Sequence, residues 1–437
     1  MLPFDISKLP ARVWLSGSDC FHLVLDKHSQ KNKAGSNVMH KLFYFDEPLD
    51  HNDLLQTLQT SALVYWLCNI KIVYRSLWSI PYWKFINSGT QPVLHQYDHD
   101  VEKEIPDEIL NRDIPLHAER FIEFSTVQYS SGASALVMSW NHILMDGKGT
   151  TMLLQHLEDI MQGKPQQFEH FFPAKDKQPN IIGYISNMYK VKAFIQRSSK
   201  APIASVAQSG QQPVGGFFFK TMYFTKEETK QMDALAFENG ARFGANLFHL
   251  SCCLHCINSV LQQKKKAGTM WIPVPYDGRL RGAAGPIISN CVSYLFYRVP
   301  QEELASIKKT ISFLNSQMTE QIKTGMPQRY NKLLQMMRHI PLWLYYFLIS
   351  RTGDGAFSSF LYSTTGNNFN ELKAIFGKAV TGLTVYPCPT YPPGLTFIFT
   401  RHLDQLNISF AYSPADIRPE DLGLIEVELR RLLLQPG

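Results

Sequence analysis

A histidine and an aspartate separated by three residues carry the clearest chemistry in this sequence. His142 and Asp146 lie in Asn141-His142-Ile143-Leu144-Met145-Asp146-Gly147. A neutral imidazole titrates near neutral pH, so a fixed histidine can take a proton from an attacking hydroxyl or amine and return it to a leaving group. Asp146 could face this imidazole or pin the loop to a cation elsewhere, and the spacing does not choose. The alternative is a buried histidine that only supports the core.

The elements around His142 favour the chemical interpretation. Residues 134–139 are mostly apolar and β-prone, which predicts a buried strand that delivers His142 to the mouth of a loop. Thr150 or Thr151 is expected to cap a helix that Gly163 ends. Its apolar face comprises Leu153, Leu154, Leu157, Ile160 and Met161. A histidine held between a rigid strand and a capped helix is well placed for proton transfer.

This segment resembles the His-His-x-x-x-Asp-Gly signature of the chloramphenicol acetyltransferase-like superfamily, which includes condensation domains, wax ester synthases and plant-type acyltransferases. The resemblance implies that His142 is the catalytic base and that Asp146 and Gly147 are structural residues of the motif. Asn141 replaces the first histidine, which is largely supportive in the superfamily, and it is a candidate residue of the oxyanion site or the tunnel. The difference leaves the chemistry in place but weakens assignment to one branch.

A second segment strengthens the resemblance. Tyr276-Asp277-Gly278-Arg279-Leu280-Arg281, followed by Ser289-Asn290-Cys291, is similar to the family's Asp-x-Arg stretch and the asparagine-containing segment after it. The resemblance implies that Arg279 pairs with Asp146, with Arg281 as second choice. An arginine–carboxylate contact is directional and would fix the loop around His142. Without the histidine motif, both arginines would read as surface residues of a glycine-rich turn.

A third segment offers hydroxyl groups. Residues 360–366 resemble a strand and turn that condensation and wax ester synthase-like members place near the active site, so Ser363, Thr364 or Thr365 could donate to the oxyanion of a tetrahedral intermediate. A purely structural turn is an equal alternative. The Asp-Phe-Gly-Trp-Gly motif of plant-type enzymes is absent from the sequence, which argues against that branch.

Length and charge constrain the partners. A chain of 437 residues with 45% hydrophobic and 18% charged residues predicts an ordinary globular protein of two lobes. The formal charge of +6 suits an anionic partner, such as the phosphates of coenzyme A, an acidic carrier protein or an anionic membrane surface. Nucleic acid is disfavoured because no recognised binding motif accompanies this modest, scattered charge.

The cysteines indicate a reducing compartment. Seven cysteines, and an N-terminus without a basic region and apolar signal core, favour a cytoplasmic protein with reduced thiols. Cys252-Cys253-Leu254-His255-Cys256 could suggest zinc, but paired Cys-x-x-Cys knuckles are lacking and residues 245–261 read as an apolar helix. No metal is expected.

The predicted fold class is α/β (α+β), with mixed sheets flanked by helices. We expect an N-terminal lobe at 1–165 that carries the histidine motif, a crossover linker at 166–213 with a helix at 181–195, and a C-terminal lobe at 214–437. The resemblance implies two chloramphenicol acetyltransferase-like lobes with an active-site tunnel between them. Because both lobes lie in one chain, a monomer is expected.

Further elements follow from periodicity and turn residues. A helix should start near Asp50 or Asn52, and Thr225 and Glu228 should form a capping box. A turn at Ser130-Ser131-Gly132 should pair a strand at 120–129 with the strand before His142. The other expected elements are strands at 41–45, 70–74, 217–224, 271–275, 396–400 and 406–412, and helices at 304–322 and 419–434.

Three segments carry weaker expectations. Residues 14–25 look like the family's opening, a short turn near an aspartate followed by the first strand. His22 could be catalytic in isolation, but on an alternating strand a packed or exposed wall residue is favoured. Residues 80–96 should be irregular. Residues 340–349 are too short to span a bilayer and are expected to form a buried helix; a greasy channel wall or an interfacial patch is the alternative.

Together these features predict an acyltransferase. An acyl thioester, either acyl-coenzyme A or the phosphopantetheine of an acyl carrier protein, would be the co-substrate. The acceptor would be a hydroxyl or amine, and the pathway would be lipid or secondary metabolite biosynthesis. The alternatives are a carrier-dependent condensation module and a non-catalytic acyl- or carrier-binding member, against which the retention of His142, Asp146 and Gly147 argues. The His-x-x-x-x-Asp motif of glycerolipid acyltransferases is disfavoured, because only three residues separate His142 from Asp146.

Overall fold

Two β-sheets, each covered by helices, organise the chain in the computed structural model. The residues that the structure describes are 3–76, 78–174, 186, 188–194, 203–206, 216–242, 244–279, 283, 285–350, 358–365, 372–388, 391 and 393–435. Arg281 and most of the predicted linker at 166–213 therefore lie outside the described residues. Within that linker, residues 188–194 are helical, in agreement with the expected helix at 181–195.

The first half of the chain contributes strands β1 Arg12–Trp14, β2 Val38–Phe45, β3 Ile70–Val73, β4 Tyr82–Phe85, β5 Leu94–His99, β6 Ile122–Tyr129 and β7 Ser134–Asn141. The second half contributes β8 Phe218–Tyr223, β9 Thr269–Asp277, β10 Val292–Pro300, β11 Leu361–Thr364, β12 Ala374–Ile375, β13 Lys378–Ala379, β14 Gly382–Tyr386, β15 Leu395–His402 and β16 Gln405–Tyr412.

The helices lie between these strands. They are α1 Gly17–Lys31, α2 His51–Thr60, α3 Ala62–Cys68, α4 Asp107–Leu110, α5 Gly147–Met161, α6 Lys226–Glu238, α7 Asn246–Gln263, α8 Ile307–Lys323, α9 Met326–Met337, α10 Leu342–Ser350 and α11 Pro419–Leu434. None of the helices among the described residues is long and apolar enough to cross a membrane.

The two large sheets differ in where their strands come from. The first has the order β14-β2-β7-β6-β5, and every residue of its central strands β2 and β7 is buried. The second has the order β11-β15-β16-β8 and is built from the second half of the chain alone. β14 therefore joins the first sheet from the far side of the sequence, through pairs such as Thr384 with Leu42.

The hydrophobic core of the first sheet also draws on the second half of the chain. Ile287, Ile288, Leu372 and Val385 pack in the same cluster as Leu153 of α5. The boundaries at 165 and 213 stay a prediction; the structure shows that a segment beyond them completes the first sheet and its core.

Many local predictions are confirmed. β6 and β7 form the expected hairpin, and Asp50 caps α2. Thr225 and Glu228 form the capping box of α6, and the last helix covers Pro419–Leu434. These features depend on local side-chain chemistry, which the sequence states directly.

Four local predictions are wrong. His22 lies on helix α1 rather than on a strand, because Ser16 and Asp19 form a capping box that starts this helix. The cap of α5 is Asp146, not Thr150 or Thr151. Residues 80–96 are not irregular, since they contain β4 and the first half of β5. Helix α10 is not fully buried, since Trp343 is 53% exposed.

Candidate active site

His142 directly follows β7 and is held at both ends of its backbone. Its N–H donates to the Asn37 carbonyl at 2.8 Å, and its carbonyl accepts from Nδ2 of Asn290 at 2.8 Å. Burial lowers the pKa of the imidazole, an effect partly offset by its own backbone carbonyl, the charge of Asp146 and the Asn290 side chain. The ring is thus neutral near pH 7 and able to accept a proton, and the residue is only half-buried.

Asn141 occupies the position of the superfamily's first histidine and braces the loop from within. Its Nδ2 donates to the Ile114 carbonyl at 2.9 Å and to Oδ1 of Asp26 at 3.3 Å. Its Oδ1 accepts from the N–H of Ile143 at 3.2 Å. The amide therefore satisfies buried groups on both sides, which a supportive residue at this position has to do.

Asp146 pins the loop to the second half of the chain. Its Oδ1 accepts from the N–H groups of Lys148 and Gly149, which makes it the N-cap of α5. Its Oδ2 accepts from Nη1 of Arg279 and from the N–H of Cys291, both at 2.8 Å. Of the two roles that the spacing left open, the pairing with a cation is the one present.

Arg279 lies after β9 and is almost fully buried, with 5% of its side chain exposed. Its Nη2 also donates to the Pro286 carbonyl at 3.2 Å, so both terminal nitrogens are engaged. The guanidinium thus links the loop at Asp146 to the turn that precedes Ser289. Among the described residues, the buried Nε of Arg279 has no hydrogen-bond partner. Because burial of charged groups is costly, this pair fixes the geometry of the loop more than it adds stability.

Gly147 is the first residue of α5, and its carbonyl accepts from the hydroxyls of Thr150 and Thr151. The buried Lys41 donates to these same hydroxyls at 3.1 and 2.8 Å. A Cβ atom at position 147 would meet nothing within 4 Å, whereas one at Gly149 would lie 2.5 Å from the Ile287 carbonyl. Close packing therefore requires glycine at 149, and Gly147 leaves open space beside the loop.

A buried network ties the same loop to α1. Asp19 accepts from both nitrogens of Asn290, at 2.6 Å from the backbone and 3.0 Å from Nδ2. Its other oxygen accepts from the hydroxyl of Ser289 at 3.1 Å, and Ser289 forms a bridge with Met145. Burial raises the pKa of Asp19 against the effect of these donors. Asn290 thus joins the first helix to the carbonyl of His142.

The ring of His142 stacks on the ring of His22. The two centroids are 3.9 Å apart and the planes differ by 18°. His22 is 4% exposed, and its Nδ1 lies 3.4 Å from Nδ2 of Asn37, whose carbonyl binds the N–H of His142. His22 therefore packs directly against the ring of His142 and is not a wall residue on a strand.

The three candidate hydroxyls lie on and after β11. Thr364 Oγ1 donates to Oδ1 of Asn246, and Thr365 Oγ1 donates to the Phe399 carbonyl, both at 3.4 Å. Ser363 lies between Tyr362 and Thr364, which both face α7, so its side chain points to the opposite face of the strand. Of the three, Ser363 is the residue turned away from these internal contacts.

Sequence reasoning missed Asp19, His22 and Asp26. Their spacing of three and four residues places them on one helical face, a signal that becomes readable once the Ser16-x-x-Asp19 capping box is noticed. Asn290 was noted only as part of a similar segment. Its contact with His142 joins residues 148 positions apart and has no local signal.

The cysteine cluster belongs to the core. Cys252, Cys253 and Cys256 are buried in α7, where burial raises the pKa of each thiol. Within the part of the chain that the structure describes, no group of three His, Cys, Asp or Glu side chains is placed to bind a metal ion.

Comparisons by sequence find no matching family model and no matching curated protein. Comparison by structure finds solved relatives of the whole chain. The first condensation domain of the CDA synthetase has a TM-score of 0.68, with 14% identity over 97% of both chains. The TRI3 trichothecene 15-O-acetyltransferase of Fusarium sporotrichioides has a TM-score of 0.67, with 12% identity over 97% of this chain and 94% of its own.

A third relative is the starter condensation domain of the rhizomide synthetase RzmA, solved as a variant with C8-CoA and Leu-SNAC. Its TM-score is 0.64, with 11% identity over 98% of this chain and 94% of its own. The chain therefore has the two-lobed fold of these condensation domains and of the acetyltransferase. The fold class expected from the sequence is confirmed.

Proposed function

We propose that this protein transfers an acyl group from a thioester to a hydroxyl or amine acceptor, with His142 as general base. The observation that carries the proposal is the state of His142. It is neutral, only half-buried, and held by hydrogen bonds from two separate segments and by a stacked ring. A base so constrained loses little entropy when it meets a substrate.

The reaction would proceed without a protein nucleophile. His142 takes the proton of the acceptor as its oxygen or nitrogen attacks the thioester carbonyl. The tetrahedral intermediate then expels the thiolate, which receives the proton, and the ester or amide leaves. General base catalysis of this kind contributes ~10²–10⁴-fold, and alignment of the reactants supplies much of the rest.

Ser363 is the first choice for an oxyanion donor, ahead of Thr364 and Thr365, because its side chain faces away from the contacts that occupy the other two. Loss of one such donor costs about 3–4 kcal/mol in other enzymes. A tunnel between the lobes that brings the thioester to both His142 and Ser363 is part of this proposal.

The donor is proposed to be coenzyme A or a carrier-bound phosphopantetheine. The named ligands of the RzmA domain, C8-CoA and Leu-SNAC, support a thioester, and the name of TRI3 supports an oxygen acceptor as one option. A lipid-like acyl chain is supported by a cavity of about 450 Å³ with a largely apolar wall, which includes Leu23, Met337 and Trp343. A monomer, with peripheral membrane contact through the exposed side of α10, completes the proposal.

The second candidate function is a condensation module that accepts only a carrier-tethered donor. It is supported by the condensation domains among the structural relatives. A non-catalytic binding protein of the same fold is less well supported, because binding alone would not need a neutral histidine braced by buried groups from both halves of the chain.

The test is thiol release from acyl-coenzyme A donors of increasing chain length, with simple alcohols and amines as acceptors. His142→Ala should lower turnover ~10²–10⁴-fold. His117→Ala, which removes an exposed histidine elsewhere, is the matched control and should leave turnover unchanged. Release only from a carrier-bound donor would select the condensation module. Equal turnover by wild type and His142→Ala would refute the proposed mechanism.

A further inference from the structure

The contact between His22 and His142 is unusual because both partners are ionisable. The planes lie nearly parallel at a centroid distance of 3.9 Å, which is closer than the roughly 4.5–7 Å usual for aromatic pairs. His22 belongs to α1, and His142 directly follows β7, so the pair joins two parts of the chain that are distant in the sequence. Such a contact restricts rotation of the His142 ring about its side-chain bonds.

One carboxylate supports both members of this pair. Asp26, one turn after His22, accepts from the backbone N–H of Asn37 at 2.9 Å and from Nδ2 of Asn141 at 3.3 Å. Asn37 contacts the ring of His22 through its side chain and the N–H of His142 through its carbonyl. Asp26 therefore holds Asn37 in place, and Asn37 in turn contacts both the ring of His22 and the backbone of His142.

Burial, rather than the surrounding charges, keeps both rings neutral. Asp19 and Asp26 of α1 are buried, and burial raises the pKa of each, to about 6 for Asp26. On the opposite side Asp146 is paired with Arg279, and the neighbouring Cys291 thiol has its pKa raised by burial to about 12. Burial and the facing His142 hold the pKa of His22 well below its usual value.

We propose that His22 is a positioning residue for acyl transfer: its ring, anchored through Asn37 and Asp26, fixes the plane of the His142 imidazole and keeps water away from that face. This inference rests on the proposed function. It assigns His22 no contact with the substrate and no proton to transfer. It explains why a half-buried base in a partly open site can hold one orientation.

Two substitutions separate stacking from other roles. His22→Ala removes the ring and should lower kcat about 100-fold, the cost of a small misplacement of a catalytic group, with KM changed less than twofold. His22→Phe restores a flat ring that can stack on His142 and should keep kcat within about tenfold of wild type. A polar role of His22 would make the two variants equally poor.

The chain supplies a matched control. His249 on α7 is also buried and stacks on Phe399, with centroids 4.7 Å apart and planes 13° apart. His249→Ala removes an equivalent stacked histidine in the second sheet and should cost similar stability without lowering kcat. If kcat fell in both alanine variants in proportion to lost stability, His22 would be merely structural and the inference would be refuted.

A measurement without substrate separates this inference from the proposed function. In the protein with ¹³C-labelled histidine, NMR titration should give His142 a pKa below 6.5, the ordinary value. That pKa should rise toward 6.5 in His22→Ala, where water reaches the ring, and stay low in His22→Phe. If the pKa of His142 were unchanged in His22→Ala, the inference would be overturned even if acyl transfer were established. If the titrations behaved as expected but the protein transferred no acyl group, only the proposed function would be overturned.

Discussion

The two sheets contain units with the same order of elements but different surroundings. In the first, the hairpin β6–β7 leads through residues 142–146 into α5; in the second, the hairpin β15–β16 leads through residues 413–418 into α11. In the second connection, the N–H of Ser413 donates to the Gly394 carbonyl, and the Tyr391 hydroxyl donates to Asp416 at 3.4 Å. The first is held by Arg279 and Asn290, more than 130 positions away.

This difference shows how one of two similar units becomes a candidate active site. The connection at His142 is incomplete without the segment from 277 to 291, so its geometry exists only when both halves of the chain are assembled. The geometry of the candidate site therefore depends on the assembly of both halves of the chain at this loop.

The largest effect should come from breaking the pair between the halves. Arg279→Met leaves Asp146 buried without its cation, which should cost ~3–5 kcal/mol of unfolding free energy. The loop at His142 would shift, and turnover should fall ~100-fold or more. Denaturant unfolding and thiol release measure the two effects.

The control for this pair lies in the second unit. Lys264 pairs with Asp421 of α11 at 2.7 Å, and Asp421 also has Arg418 as a partner. Lys264→Met should therefore cost less stability and leave turnover unchanged. Equal losses of activity in both variants would mean that the first connection is no more dependent on distant contacts than the second.

The pH dependence of stability should also differ between the units. Burial lowers the pKa of His249 to about 3, so below pH 6.5 the unfolded chain binds a proton that the folded chain refuses. His249 thus lowers stability by ~1.4 kcal/mol per pH unit as the pH falls from 6.5 toward 3. His249→Phe should flatten the acid limb of the stability curve by that slope.

The titration of Asp26, beside His22, should change stability with pH in the opposite direction to that of His249. The Asp26 pKa of about 6 exceeds the usual 3.8, so its contribution is complete below about pH 4 and is lost as the pH rises through 6. Asp26→Asn should remove this loss. Unfolding measured from pH 4 to 7 tests both signs, and a His249→Phe curve that parallels wild type would contradict the assignment.

A smaller effect is expected at Asn290. Asn290→Ala removes the donors to the carbonyls of His142 and Ile143 and one donor to Asp19, which should cost ~1–3 kcal/mol and lower kcat. Asn69→Ala is matched, because the buried amide of Asn69 also donates to two carbonyls, those of Tyr65 and Thr90. Asn69→Ala should lose similar stability without a change in kcat. If kcat fell equally in the two variants, Asn290 would have no special role at the candidate site.

The smallest effect concerns the acyl chain. Met337→Trp should fill part of the apolar cavity beside α1 and lower kcat/KM about tenfold for long-chain donors only. Met336→Trp, one position away and not part of the cavity wall, is the control. A loss that is equal for acetyl and long-chain donors would show that the cavity does not hold the acyl group.

Sequence reasoning succeeded mainly where the deciding interactions join residues that are close together in the chain. The unit of β7, His142 and α5 was predicted because a strand and a helix leave apolar periodicities and Asp-Gly marks the turn. The segment after Ser16 was misjudged because Leu23-Val24-Leu25 is as β-prone as a strand, and the capping box that decides for a helix was overlooked. The pairing of Arg279 with Asp146 came from a resemblance, not from the residues alone.

By itself, the sequence determined many of the strands and helices, the two-lobed class and the identity of the candidate base, because these depend on local propensity and on one motif. Only the tertiary structure decided that β14 completes the first sheet, that Asp146 caps α5 while binding Arg279, and that His22 stacks on His142. Each joins residues far apart in the chain, and which distant groups meet depends on the packing of whole elements. That packing lowers the pKa of His142 and fixes its ring.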